Sequence, residues 1–314
     1  MIKKSLPNET LKDQLRDRAN DRLHNFMLVG GKVRGVILRG TRMVREMREN
    51  HELGILETLA LGHAYLAAGL MSANLKGFDR LSLQIECSGP IEGLVAETNA
   101  FGEVRGYLKQ VPIPIEKPLA DFNLAPFFGA GFLSVTKYMV DAKHPFTGKV
   151  MMENGSVAKD LTLYYLKSEQ LPTAFNLSIH FDTDGKITGA GGLFLQAMPG
   201  VDDETLTAIE TIVTKLPSLG IVFSEPREVP AFIAENFSAF SPKILDNRRV
   251  EFYCHCNKTT IREMIALFPI DDLQEMATQG PFPLDIRCHH CNTVHQFDAD
   301  DIQGVYQALV NENK

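Results

Sequence analysis

The chain has no tryptophan, and its aromatic residues make up only 8% of 314 residues. Basic residues are also in deficit: 32 Lys and Arg stand against 39 Asp and Glu, a net charge of −7 with histidine neutral. A dedicated nucleic-acid binder carries the opposite balance, so nucleic acid is not the expected partner. A long apolar run is missing as well. The longest weakly charged stretch, Thr58 to Ala73, has 16 residues, includes His63 and is rich in Gly, Ala, Thr and Ser, whereas a membrane span needs roughly 20 apolar residues. Glu52 and Glu57 lie where a span favours basic flanks. The stretch reads as a buried helix. Met1 to Thr10 holds Lys3 and Lys4 but no apolar segment of the signal-peptide kind, so the cytoplasm is the expected compartment and no membrane partner is expected.

Several motifs are incomplete. Gly189-Ala190-Gly191-Gly192 has Phe at position 194 where a dinucleotide fingerprint has glycine, and it follows a hairpin strand. Thr147-Gly148-Lys149 lacks the upstream glycine and the following Ser or Thr of a phosphate loop, and His51-Glu52 has Ile55 where a helical zinc protease has histidine. No hydrolytic triad is evident, and no catalytic residue is assigned.

What is present suffices for a large core. Apolar residues make up 44% and charged residues 23%, and at about 150 residues per domain the length suggests two domains. Leu11 to Phe26 reads as a helix, Gly30-Gly31 as a turn and Val33 to Leu38 as a strand. Thr41 to Asn50 carries Arg42, Arg45 and Arg48 at i+3 spacing, read as a solvated basic helix face rather than a binding patch. From Arg80 the period becomes two: Leu81, Leu83, Ile85 and Cys87 alternate with polar residues, and Gly93 to Glu97 and Val104 to Lys109 repeat the pattern as antiparallel strands. Cys87 falls on the apolar side and reads as a buried structural thiol.

Prolines 112, 114, 118 and 126 make Gln110 to Gly131 an irregular connection. Leu133 to Met139 and Gly148 to Met152 read as strands, and Ser156 to Ser168 as a helix. Ala174 to Phe181 and Lys186 to Leu195 flank Asp182-Thr183-Asp184-Gly185 as a hairpin. The expected architecture is an α+β domain with antiparallel sheet over residues 1–200. Asp202 to Leu216 then reads as an amphipathic helix with Leu206, Ile209, Ile212, Val213 and Leu216 on its apolar side and Asp202 and Asp203 at its positive end. Up to Asn247 the chain offers short helical pieces punctuated by prolines and no strand ladder. Residues 201–249 are therefore expected to be a metastable linker that needs a neighbour to pack on.

Cysteine is scarce until the end. Cys87 stands alone, and Cys254, Cys256, Cys288 and Cys291 then fall within 38 residues. Four thiolates suit tetrahedral Zn²⁺, one per chain, and Cys254-His255-Cys256 and Cys288-His289-His290-Cys291 are separated by 31 residues, room for two short helices. Thr260-Ile261-Arg262-Glu263 resembles a capping box opening a helix through Leu267, and Asp271 to Met276 reads as another helix. His255, His289, His290 and His295 are substitute ligands. Residues 250–314 hold four basic against ten acidic residues, which repels phosphate. A module this small needs its metal to fold. By spacing alone it is a static zinc ribbon or a thiol switch; thiolates are what peroxide attacks, and both readings stay open.

The CxC and CxxC pairs, in order and spacing, resemble the zinc motif of the redox-regulated holdase chaperones, the thirty-three-kilodalton heat shock protein family. Phe146-Thr147-Gly148, Gly155-Ser156-Val157-Ala158-Lys159-Asp160-Leu161, Tyr165 with Ser168-Glu169-Gln170, and Gly191-Gly192 through Leu195-Gln196 to Met198-Pro199-Gly200 resemble further segments of that family. The likeness covers nearly the whole chain; Asn257 departs from the family's frequent Ser. It implies a chaperone domain, a metastable helical linker and a zinc-binding redox domain in which reduced Cys254, Cys256, Cys288 and Cys291 hold zinc. Oxidation would pair Cys254 with Cys256 and Cys288 with Cys291, release zinc and loosen the linker. The exposed surface, with Leu206, Ile209, Ile212 and Val213 as client-binding candidates, would hold unfolding proteins without ATP, as a homodimer. The alternative is a constitutive zinc module associated with RNA or translation through the basic segment Lys32 to Arg48.

Overall fold

The computed structural model describes residues 1–7, 9–11, 15, 20–115 and 121–312. The chain divides into two compact units, Lys4–Phe252 and Met1–Lys3 with Tyr253–Lys314.

The larger unit is α+β, built from two mainly antiparallel sheets. Its five-stranded sheet runs β10 (Lys243–Arg249), β1 (Arg22–Leu28), β2 (Val33–Arg39), β9 (Ile187–Ala197), β8 (Thr173–Phe181). Its six-stranded sheet runs β11 (Glu251–Phe252), β5 (Glu103–Leu108), β4 (Gly93–Asn99), β3 (Arg80–Cys87), β6 (Gly131–Tyr138), β7 (Phe146–Met151), with β11 parallel to β5. Following α1 (Thr41–His51), helix α2 (Ile55–Met71) lies against strands of both sheets. The weakly charged stretch is therefore a core helix: it is apolar nearly all round, as a helix buried on every side must be. Gly69 permits the close approach, because a Cβ there would meet Leu38 Cδ2 at 2.8 Å.

Three local expectations need correction. Residues 22–28 form a strand, not the end of a helix; β1 is covered on both faces, with Leu23, Phe26 and Leu28 fully buried, so the strand lacks the alternation that would reveal it. The helix expected from Leu11 falls partly on residues 12–14 and 16–19, outside the described residues, as Pro118 does. The three arginines of α1 are not a solvated face. Arg42 is buried and ion-paired with Glu9 and Glu46, both at 2.7 Å. Arg45 Nε donates to Ile187 O at 2.7 Å, and Arg48 donates to Leu53 O and Gly185 O beneath the Phe181 ring. Gln110 to Gly131 includes a short helix, α3 (Ala125–Phe128), and Cys87 is half-buried rather than buried, its thiol pushed up by that partial burial.

The motif-like segments have structural duties. Before α4 (Val157–Tyr164), the fully buried Asp160 carboxylate accepts the backbone N–H groups of Glu153, Asn154 and Ser156 at 2.9–3.0 Å, fixing the Gly155-Ser156 turn. The hairpin around Asp182–Gly185 forms, with Gly185 at φ 74°. A Cβ on Gly191 would meet the Phe223 ring at 2.4 Å. The glycine run thus lets residues 219–223 lie directly on β9.

Residues 203–240 form α5 (Asp203–Lys215), α6 (Leu219–Val222), α7 (Val229–Asn236) and a 3₁₀ turn, Ser238–Phe240. Asp202 caps α5 by accepting Thr205 N–H at 2.9 Å. Their apolar residues form one cluster with the five-stranded sheet: Ile209, Leu219, Phe223, Phe232, Ile233 and Phe237 pack with Phe26, Leu28, Val33, Ile37, Leu193 and Leu195. A strand then follows where none was expected. Strand β10 pairs with β1 over Arg22↔Arg249 to Met27↔Lys243, and its side chains are mostly exposed and polar, so it carried no apolar alternation to read.

Candidate metal centre

The smaller unit contains α8 (Lys258–Ile265), α9 (Ile270–Gln279), the antiparallel hairpin β12 (Leu284–Arg287) and β13 (Val294–Phe297), and α10 (Ala299–Glu312). Its apolar cluster consists of Ile261, Ile265, Leu273, Phe297, Ile302 and Val305, with partly buried neighbours. The start of α8 differs from the expected capping box: Asn257, three residues before Thr260, is the cap and accepts Thr260 N–H at 2.9 Å. The hairpin and α10 were not anticipated; the strands have four residues each, too short for a periodic signal.

This hairpin builds half of the site. Cys288 directly follows β12, Cys291 lies in the turn, and Cys288 N–H donates to Thr293 O at 2.9 Å while Asn292 N–H donates to Cys288 O at 2.7 Å. Asn292 supplies the left-handed residue the turn needs, with φ 57°, and its side chain accepts from Arg287 at 2.8 Å. Cys254 and Cys256 come from the extended segment opposite. Among the described residues the four sulfurs are grouped as potential metal ligands, all within 4.8 Å of one another, with Cys254 and Cys291 buried. Cys254 Sγ lies 3.8 Å from Cys288 Sγ, and Cys256 Sγ lies 3.3 Å from Cys291 Sγ. A tetrahedron with Zn–S near 2.3 Å has S···S edges of about 3.8 Å, so the spacing fits.

The electrostatics fit as well. With no cation among them, burial, then the neighbouring thiols, push Cys256 up to about 12. Hydrogen bonds with Cys254 and Cys291, followed by burial, push Cys288 further up. Burial and thiol neighbours therefore favour the protonated form at Cys256 and Cys288, and a bound dication would reverse that balance by favouring the thiolates. The histidines fall around the sulfurs: His295 Nε2 lies 3.4 Å from Cys256 Sγ, and His255 stacks edge-on against Tyr253 with ring centroids 4.9 Å apart. Burial holds His295 below its ordinary value. Thr293, whose Oγ1 lies 3.3 Å from Cys291 Sγ, was missed; its place two residues beyond the CxxC pair was the available signal.

Leu206, Ile209, Ile212 and Val213 share α5. Ile209 is buried at 4% exposure, Ile212 and Val213 are half-buried against the same cluster, and Leu206 is half-buried. The structure thus holds three of the four in one apolar contact with the five-stranded sheet.

A family model described as Hsp33 protein matches residues 21–298. A 33 kDa chaperonin of Desulforamulus reducens is 33% identical over 280 residues, 89% of this chain and 95% of that protein. Its counterpart in Bacillus subtilis is 31% identical over 287 residues, covering 91% and 98%. Among solved structures, the 33 kDa chaperonin of Thermotoga maritima matches with a TM-score of 0.83 at 28% identity, covering 93% of this chain and 99% of that one.

Proposed function

Since the chain belongs to the Hsp33 family of chaperones, we propose that it is a redox-regulated, ATP-independent holdase of the bacterial cytoplasm, inactive when reduced and zinc-bound. The observation that carries this reading is the pairing of two weakly self-sufficient regions: a small unit organised around four thiols, and a proline-interrupted helical segment whose large apolar side chains are covered only by docking on a sheet. Zinc, when bound, would offset two of the four thiolate charges and supply most of the small unit's folding free energy, on the order of 10 kcal/mol. Cys254, Cys256, Cys288 and Cys291 are its ligands, one ion per chain.

Peroxide then oxidises each thiol pair: two S–H groups yield one S–S bond, and one peroxide is reduced to two waters. The pairs are Cys254 with Cys256 and Cys288 with Cys291, adjacent in sequence and free to meet once the unit loosens. With the ligands consumed the small unit loses its fold, and residues 201–249, a metastable linker between the chaperone domain of residues 1–200 and the redox domain of residues 250–314, lose support. Undocking bares Leu206, Ile209, Ile212 and Val213 for unfolded clients, and the active species is a homodimer. The alternative reading, an RNA- or translation-associated zinc module using Lys32 to Arg48, loses its main support because the arginines of α1 are occupied by internal carboxylates and carbonyls.

The test follows light scattering of a chemically unfolded client mixed with reduced or peroxide-treated protein, with released zinc read in the same samples. Suppression of aggregation that appears only with zinc release supports the switch. Suppression already complete in the reduced protein, or zinc retained without suppression, refutes it. Peptide mapping by mass spectrometry checks the pairing.

A further inference from the structure

We propose that residues Met1–Lys3 are a positioning strap that clasps the two cysteine pairs of the metal centre together and sets how readily its metal is lost. These residues pack with Tyr253–Lys314 rather than with the unit they lead into. The backbone nitrogen of Met1 donates to Cys256 O at 2.7 Å and to Cys254 O at 3.3 Å, and Cys254 N–H donates to Met1 Sδ at 2.9 Å. Those contacts fix the CxC segment from both sides.

One residue later the strap reaches the opposite pair. Ile2 N–H donates to Thr293 Oγ1 at 3.1 Å, and the Thr293 hydroxyl donates back to Ile2 O at 3.2 Å. Thr293 also receives the Cys288 N–H on its carbonyl, and its hydroxyl lies beside Cys291 Sγ. Two adjacent residues therefore bridge ligand pairs whose connecting chain is 31 residues long. In metal sites the groups that hold the ligands tune affinity as the ligands do, and here the clasp is made of backbone groups, the Thr293 hydroxyl and the Met1 thioether.

The strap lies outside residues 21–298, which the family model matches. It also changes the connectivity of the small unit, which is joined to the larger one at two places along the chain, Lys3–Lys4 and Phe252–Tyr253. At the first, Lys4 N–H donates to Asn50 Oδ1 at 2.9 Å and Lys4 pairs with Glu52. Residues 1–3 are thus followed directly by an anchored lysine, and the clasp forms intramolecularly at high effective concentration.

The experiment uses the full-length, zinc-loaded protein. Deleting Ile2, Lys3 and Lys4 draws Met1 back by roughly 10 Å, out of reach of Cys256; Thr293→Val removes the hydroxyl, and Thr293→Ser retains it. Zinc loss to a chelating dye at fixed peroxide should accelerate by roughly five- to tenfold in the deletion and in Thr293→Val, the worth of one or two hydrogen bonds, and stay near the unaltered rate in Thr293→Ser. Amide exchange at Cys254 should rise while exchange across Ile55–Met71 is unchanged. Release within twofold of the unaltered protein, or faster exchange across Ile55–Met71 as well, overturns the strap. The zinc readout rests on the proposed function, but the exchange readout does not: if the protein binds no zinc, the metal-centre reading fails, and Cys254 exchange alone decides the strap, supporting it by rising on deletion and refuting it by staying constant.

Discussion

The two units answer the same problem, how to hold a fold against chain entropy, with different materials. In Lys4–Phe252 the work falls to large buried side chains, among them Tyr65, Tyr164, Phe26, Phe128 and Phe194. Of the largest fully buried side chains among the described residues, Phe297 alone belongs to the cysteine unit. That unit substitutes a convergence of four sulfurs for apolar volume. An apolar core is insensitive to oxidants, whereas a thiol-organised one is exposed to them, so the difference in material is also a difference in what each unit can sense.

The sharpest way to break the comparison is to remove a sulfur. Cys288→Ser, or a strong chelator, should cost the small unit on the order of 10 kcal/mol, enough to unfold it. Hydrogen exchange should then show lost protection in α8 to α10 and across residues 201–249, while β1 to β9 keep theirs; retained protection across 201–249 would mean that the segment does not depend on the small unit. Next in size is Phe232→Ala, at 1% exposure in the docked helices. Emptying that position should cost about 4 kcal/mol in denaturant titration of the larger unit without changing zinc content.

A smaller effect depends on pH. Burial raises Asp21 to about 7, against the opposing hydrogen bonds from the Met43 and Arg42 backbone and the nearby Arg39 charge, with Glu46 adding to the rise. Because its folded value lies above the unfolded 3.8, the folded protein binds the extra proton between those limits. Stability from this group is complete below the unfolded value and declines as pH rises toward 7, by at most about 1.4 kcal/mol per pH unit. Asp21→Asn should flatten that slope in urea titrations run across the window; an unchanged slope would assign it elsewhere. The smallest effect is at the surface: Asp202→Ala removes the cap of α5 and should be read as faster amide exchange at Thr205, with unchanged exchange there refuting the cap.

Much of this was legible beforehand where side chains carry a period or a chemistry. The alternation in β3 to β5, the Asp-Gly hairpin and the amphipathic α5 were readable because one face is buried and the other is not. The metal site was legible because cysteine is otherwise rare here. The failures share a cause. Strand β1 is covered on both faces and so shows no alternation, whereas β10 is exposed on both and shows none either. The arginines of α1 look solvated by spacing, and only the tertiary placement of Glu9, Ile187 and Gly185 reveals that they are tethered. Met1 acts on the cysteines through its terminal nitrogen and thioether, which leave no pattern in the sequence, and Thr293 is marked there only by its place two residues beyond the CxxC pair.

The position of β10 has a further consequence. This strand belongs to the segment just before the cysteine unit, yet it hydrogen-bonds along β1 as the outermost member of its sheet. Any event that draws Lys243–Arg249 away leaves β1 with a free row of N–H and C=O groups, in a strand carrying Leu23, Phe26 and Leu28. An open sheet margin of that kind is a template for any extended polypeptide, whatever its side chains, because the pairing is made by the main chain. Withdrawal of one short polar strand therefore leaves main-chain donors and acceptors of the sheet unpaired, and returning the strand pairs them again.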